Sequence, residues 1–207
     1  MTTAGRYGFL TETYATERLK VLSVWSMFED DDLAVRPHRT DARGRSVLEH
    51  MVHQSLSEDL WFRTMLGIDV GGPPLPDTET RTAFLRRYGE RSAKRLAALR
   101  AKPDEWWEEE VAFFDVRRSR AWVMVRRIAH TAHHRGQQTT LLRMLGRSLH
   151  STYGPTADTG GLFQHGAATA YAYGDEDALL EGEATGGRKA ALPGPGAAPV
   201  TERPTPC

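Results

Sequence analysis

The feature that most constrains the fold is the recurrence of apolar residues at three- and four-residue spacing in four long segments. These segments run from about 10 to 30, 46 to 66, 78 to 100 and 119 to 145. Such spacing places apolar side chains on one face of a helix. Four long helices joined by mostly short connections predict an all-α fold, an antiparallel four-helix bundle over residues 1–148.

Helix start and stop signals support the boundaries of these segments. Ser46 and Glu49 have the S-x-x-E spacing of a capping box, which marks the start of the second segment. Gly67 and Gly146 follow the second and fourth segments, and glycine commonly ends a helix. The region between the third and fourth segments contains several aromatic residues, so we expect it to pack on the bundle rather than form a free loop.

Two further regions follow the predicted bundle. Residues 149–175 combine glycine and proline with aromatic residues, which predicts a structured loop that covers part of the bundle. Residues 176–207 are rich in Gly, Pro and Ala and have no aromatic residue. Such a segment buries too little apolar surface to offset the entropy of ordering it, so we expect a disordered tail.

Composition excludes several classes of protein. Lys and Arg total 27 and Asp and Glu total 27, and this zero net charge argues against nucleic acid or an anionic membrane as a partner. A single cysteine excludes a fold held by intramolecular disulfides. No apolar run approaches the ~18 residues of a membrane span, and the N-terminus lacks the pattern of a signal peptide. We therefore expect a cytoplasmic protein.

Five of the eight histidines fall in two groups, His50 with His53 and His130 with His133 and His134. Residues four apart on a helix lie one turn apart on the same face, so His130 and His134 can offer two nitrogens to one metal ion. A third histidine from the second segment would complete the site. Helical periodicity does not distinguish His50 from His53 for this role, and the spacing alone is also common in histidines that bind no metal.

The same residues carry a resemblance to a known family. The segment HTAHHRGQQTTLLRMLG resembles the H-x-x-x-H-R-G-Q signature of the DinB/YfiT-like superfamily, and SVLEHMVHQSLSEDLWFRTMLG is similar to the second helix of that family. The resemblance implies a four-helix bundle in which three histidines hold one divalent metal ion, commonly Zn or Ni. By position the ligands would be His53, His130 and His134. His53 is preferred because its spacing to Trp61 matches the family, and His50 is the alternative.

Three more residues are candidates for roles near the metal. Gln137 lies on the same face as His130 and would either donate to a water on the metal or pack as an amide between helices. Glu49, one turn before His53, would accept the ring N–H of His53, although its place in the capping box already accounts for it. Tyr153, in the loop that follows the last bundle helix, would help to orient a substrate. Ala129 departs from the family, which often has Asn immediately before the first histidine of the pair.

The resemblance also implies a function. Several branches of the superfamily are thiol-dependent, so metal-dependent thiol S-transfer with a low-molecular-weight thiol is the leading hypothesis. Metal-assisted hydrolysis is the second. The alternative outside enzymology is a non-catalytic, metal-binding stress-response protein, which would need a fourth protein ligand to close the metal site. A homodimer is expected from the resemblance alone.

Overall fold

The computed structural model describes residues 5–198, most of whose regular structure is helical. The helices are α1 (Gly8–Ser26), α2 (Val47–Thr64), α3 (Arg81–Arg100), α4 (Asp104–Glu108), α5 (Arg120–Met144) and α6 (Glu176–Thr185). Two strands, β1 (Glu110–Phe113) and β2 (Val116–Ser119), lie between α4 and α5. Among the described residues, no helix is both long enough and apolar enough to span a membrane.

Helices α1, α2, α3 and α5 form a four-helix bundle, which confirms the predicted fold class. One apolar cluster joins the C-terminal ends of α1 and α5 to the N-terminal ends of α2 and α3, and a second cluster joins the opposite ends. Helices α1 and α5 therefore run in one direction and α2 and α3 in the other. Helix α1 contacts α3 and α5, so each helix of the bundle has one parallel and one antiparallel neighbour. The connections between α1 and α2 (residues 27–46) and between α2 and α3 (residues 65–80) are long, whereas short connections were expected.

A layer of buried polar and charged groups separates the two apolar clusters. Glu58 of α2 is fully buried, and the hydroxyls of Tyr14 and Tyr88 donate to its carboxylate at 2.7 and 2.9 Å. Arg95 also donates to Glu58, at 3.2 Å, and its positive charge compensates the buried carboxylate. Because an unpaired buried charge is very costly, this layer fixes how the four helices align along their axes.

The start of α2 is capped as predicted. The Ser46 hydroxyl accepts a hydrogen bond from the backbone N–H of Glu49, and the Glu49 carboxylate accepts one from the backbone N–H of Ser46. These bonds satisfy backbone groups that the helix itself leaves unpaired. Helices α3 and α5 begin after Thr80 and Ser119, whose hydroxyls accept hydrogen bonds in the same way.

The aromatic region before α5 packs on the bundle, as expected, but it includes a β-hairpin that was not predicted. Trp107 is buried in the second apolar cluster, and the Phe113 ring lies 5.3 Å from the Trp61 ring, centroid to centroid. Strands β1 and β2 pair antiparallel around a tight turn in which Phe114 has a positive φ of 53°. Such turns usually contain Gly or Asn, and the sequence gives neither signal here.

Residues 149–175 form a loop with two short 3₁₀ turns, Ala157–Thr159 and Phe163–His165. Asp158 ties the loop to α5, because its carboxylate accepts from Arg143 at 2.5 Å and from the backbone N–H of Leu149 at 2.6 Å.

The first residues of the predicted C-terminal tail are helical and not disordered. Residues 176–185, expected to lack structure, form α6, which packs against α1 and α3. Glu176 pairs with the buried Arg18, and Gly89 of α3 leaves the space, since a Cβ there would lie 3.2 Å from a Glu176 carboxylate oxygen. An ion pair thus helps to hold α6 on the bundle, although the low content of apolar residues in this segment predicted disorder. Residues 199–207 lie outside the described part of the chain.

Candidate metal centre

Three histidines converge between α2 and α5. His53 comes from α2, while His130 and His134 lie one turn apart on α5, the antiparallel neighbour of α2. One ring nitrogen of each lies within 4.8 Å of the others, and the Nε2 atoms of His130 and His134 are 3.2 Å apart. This is the convergence that three imidazole ligands of one metal ion require.

Burial keeps these histidines neutral. Desolvation is the largest influence on each ring, and it lowers the pKa of His130 to about 3 and that of His134 to about 4. Burial, followed by the positive charges of Arg45 and Arg127, also lowers the pKa of His53. Neutral imidazoles carry the free lone pairs that metal binding needs, so the three side chains suit a divalent cation.

The neighbouring amide of Gln137 orients His134. The Nδ1 atom of His134 lies 2.8 Å from Oε1 of Gln137, which can only accept, so Nδ1 carries the proton and Nε2 keeps its lone pair. Gln137 thus accepts a hydrogen bond from the His134 ring. This differs from both roles expected for it, which were donor to a water on the metal and amide packed between helices. Such an orienting hydrogen bond is typical of histidines that bind metal.

Aromatic and cationic groups surround His130. The Trp61 ring stacks on the His130 ring with 5.5 Å between centroids, and the guanidinium carbon of Arg127 lies 5.7 Å from the Trp61 ring. Arg127 also donates to Ser57 at 3.0 Å and to Thr131 at 3.2 Å, so its position is fixed. Arg127 was not predicted as a site residue, although its position three residues before His130 places it on the same side of α5.

His50 and His133 lie beside this group but do not belong to it. The His50 ring is buried, its centroid is 5.5 Å from that of His134, and its Nδ1 has no hydrogen-bond partner. Burial first, and then the charge of Arg45, lowers the pKa of His50 to about 4. His133 is exposed, with its centroid 4.9 Å from that of His134.

Glu49 does not take the role suggested for it. Its carboxylate accepts from the guanidinium of Arg36 and from the backbone N–H of Ser46, and both of its oxygens are engaged in these bonds. The hydrogen bond expected from His53 is therefore replaced by an ion pair. Arg36 lies in the crossing between α1 and α2, where sequence spacing gave no reason to place it next to Glu49.

Tyr153 also lies away from the three histidines. Tyr153 is 84% exposed, and the Lys20 ammonium of α1 lies 4.8 Å from the centroid of its ring. The surrounding loop lines a cavity with α1 and α6, and none of the three histidines lines that cavity.

Comparisons with known proteins agree with this fold. The model of the DinB family matches residues 4–161. A DinB-like protein from Bacillus cereus superposes with a TM-score of 0.62 at 18% identity, over 72% of this chain and 99% of that one. A DinB-like protein from Bacillus subtilis superposes with a TM-score of 0.55 at 14% identity, over 68% and 94% of the two chains. Among curated proteins, no match was found. The family match covers most of the sequence and includes all three histidines, and the chain therefore belongs to the DinB family.

Proposed function

We propose that His53, His130 and His134 hold one divalent metal ion, Zn or Ni, and that the protein is a metal-dependent enzyme of the thiol S-transferase type. The observation that carries this proposal is the convergence of three neutral imidazoles, each with one ring nitrogen within 4.8 Å of the others. Among the described residues, no carboxylate or thiol joins the group. Zn and Ni take four or more ligands, so three protein ligands leave at least one position for a substrate.

The electrostatics of the site favour an anionic ligand. A divalent metal held there would supply a Lewis acid that keeps a thiol deprotonated at neutral pH. Arg45 and Arg127 add positive potential, since both act on His53. A low-molecular-weight thiol, which binds as its thiolate, is the substrate that fits this environment.

The acidic groups of α2 support thiol transfer over metal-assisted hydrolysis. Hydrolysis commonly uses a free carboxylate as general base. Glu49 is paired with Arg36, Asp59 is paired with Arg91, and Glu58 is buried among two tyrosines and Arg95. Each of these carboxylates is engaged by an arginine, so none is an unpaired general base, and a thiolate needs no such base.

A non-catalytic role is the second candidate, and the position of His50 favours it. The His50 ring is buried beside His134 with an unpartnered Nδ1, which makes this nitrogen the candidate for a fourth ligand. A closed, four-ligand shell is typical of structural metal sites.

The homodimer remains part of the proposal, and sedimentation of the purified protein tests it.

Metal content and a cobalt spectrum test these alternatives. Elemental analysis should find one metal per chain in the native protein and sharply less in His53→Ala, His130→Ala and His134→Ala. His133→Ala, which removes an exposed imidazole from the same helix, is the control and should retain the metal. Equal retention in all four variants contradicts the ligand assignment.

The cobalt-substituted protein then separates an enzyme from a structural site. Addition of a small thiol should produce a sulfur-to-cobalt charge-transfer band if one coordination position is open. A spectrum that is indifferent to thiols in the native chain, but responsive in His50→Ala, favours the closed shell and the non-catalytic role.

A further inference from the structure

The His130 ring lacks the hydrogen bond that orients its neighbour on α5. Nδ1 of His134 is bonded to Gln137 at 2.8 Å, whereas Nδ1 of His130 is buried and has no hydrogen-bond partner among the described residues. Histidines that bind metal almost always use the second ring nitrogen for such a bond, which fixes the orientation of the ring. In His130, packing has to supply this constraint.

Trp61 of α2 makes a packing contact of the required kind. Its buried indole stacks on the imidazole of His130, with 5.5 Å between the ring centroids and 28° between the ring planes. The other two imidazoles meet the His130 ring at steeper angles, 55° for His53 and 80° for His134. The stack with Trp61 is therefore the contact that constrains the plane of the His130 ring.

The indole of Trp61 is itself held by residues of α5 and of the β-hairpin. The guanidinium carbon of Arg127 lies 5.7 Å from its centroid, and the ring of Phe113 meets it edge-on at 5.3 Å, with 84° between the planes. Arg127 is buried and lies 3.6 Å from the carboxylate of Glu58, which links it to the polar layer of the bundle. Side chains packed in this way have little rotational freedom, so the indole can fix the ring that it stacks on.

Trp61 also belongs to the second apolar cluster, and a purely structural role is the alternative. Trp107 provides the comparison, because it is buried in the same cluster and its rings contact those of Tyr7 and Trp106. Loss of either indole removes a large buried side chain and lowers stability. Loss of Trp61 alone also removes the stack on a proposed ligand.

We propose that Trp61 is a positioning residue for the metal site, whose indole fixes the plane of the His130 ring. The stack does for His130 what the hydrogen bond to Gln137 does for His134. This inference rests on the proposed metal site, since Trp61 acts there only through one of the three ligands.

Competition for Zn²⁺ with a chelator of known affinity tests the proposal on the full chain. Trp61→Leu should weaken the metal affinity about three- to tenfold, which is the contribution of one stacked aromatic pair. Trp61→Phe keeps a ring that can stack on His130, and its affinity should stay within about twofold of the native value. Trp107→Leu is the matched control, which should lose stability in urea but keep the native metal affinity.

NMR of the metal-free protein gives a second measurement that does not depend on metal. A stacked indole shifts the ring protons of His130 upfield, and His130→Ala identifies their signals. The upfield shift should be present in the native chain and in Trp107→Leu and absent in Trp61→Leu. Phe113→Leu changes a partly exposed residue of the hairpin and leaves the bundle helices intact, so it should reduce the shift even if Trp61→Leu does not fold.

Three outcomes would overturn the inference. They are an equal loss of metal affinity in Trp61→Leu and Trp107→Leu, a Trp61→Phe variant as weak as Trp61→Leu, and His130 signals that move in neither Trp61→Leu nor Phe113→Leu. A native chain that binds no metal would overturn the proposed function and this inference with it. A native chain that binds metal, and binds it equally well in Trp61→Leu, overturns the inference alone.

Discussion

The Nε2 atoms of His130 and His134 face each other at 3.2 Å, and the Gln137 amide determines which nitrogen of His134 carries a proton. With Nδ1 committed to Gln137, the lone pair of His134 points toward the other two rings. The metal affinity of the proposed site would thus depend on a residue that is not itself a proposed ligand.

Removal of this amide should weaken the metal site. We expect Gln137→Ala to lower metal affinity about 10- to 100-fold, because the His134 ring loses the acceptor that fixes its tautomer and orientation. Competition with a chelator of known affinity measures the change. Thr140→Ala is the control, since Thr140 is an exposed residue of the same helix whose hydroxyl bonds to Gly136. An affinity within twofold of the native protein would show that Gln137 does not hold the ring.

The histidines themselves were predictable from sequence, but the roles of their neighbours were not. The i, i+4 pair and the family motif placed His130 and His134 together because helix geometry fixes that relation. Glu49 also had the right spacing to His53, yet Arg36 takes its carboxylate. Spacing shows which groups share a helix face, but it does not show what competes for them from another element.

At the scale of elements, α6 is held by buried charge. Glu183 accepts from Arg81, from the hydroxyl of Tyr173 at 2.5 Å and from Lys189 at 2.7 Å. Tyr173 reaches it across Gly182, where a Cβ would lie 2.6 Å from the tyrosine ring. In addition to the pair between Glu176 and Arg18, the helix is therefore held by one carboxylate with three donors.

Neutralisation of this carboxylate should destabilise the protein at neutral pH. Glu183→Gln should lower the free energy of unfolding by about 1.5–3 kcal/mol, since hydrogen bonds to charged groups are worth this much. Urea unfolding measures the loss. Glu181→Gln, an exposed glutamate of the same helix, should change stability by less than about 0.5 kcal/mol.

The decrease in the free energy of unfolding caused by Glu183→Gln should also depend on pH. Burial alone would raise the pKa of Glu183, but the hydrogen bonds from Lys189, Tyr173 and Arg81 outweigh it and hold this pKa below its ordinary value of 4.5. The stabilisation is therefore present above pH 4.5 and is lost as the pH falls through the lower folded-state pKa. The difference between the native chain and Glu183→Gln should narrow below pH 4.5, and a constant difference would contradict this account.

The long helices were easier to predict than the elements between and after them. Apolar periodicity and the Ser46–Glu49 cap specify α2 locally, so its start matches the expectation. The β-hairpin depends on a positive φ at Phe114, and no residue type in the turn predicts that conformation. Helix α6 depends on partners in α1 and α3, which only the assembled bundle brings near.

At the scale of the whole molecule, a metal ion held by the three histidines would link α2 to α5 across the bundle. Any ligand that binds only the folded state stabilises it by mass action, and free metal at 100 times Kd adds about 2.7 kcal/mol.

We therefore expect metal to raise the Tm above that of the chelated protein by about 5–10 °C in a chain of this length. Differential scanning calorimetry measures the shift. His133→Ala should keep the shift and His53→Ala should lose it. A shift that survives in His53→Ala would mean that the metal stabilises the protein from another site.

The proposed ligands come from helices that touch in space but are separated along the chain by α3, α4 and the β-hairpin. During synthesis, His53 is made long before α5, and its partners exist only when the last bundle helix has been added. Closing so long a segment carries an entropic cost that packing of the other helices must first offset. We therefore expect metal to bind after the bundle has assembled. It should slow unfolding of the bundle and should not guide its folding.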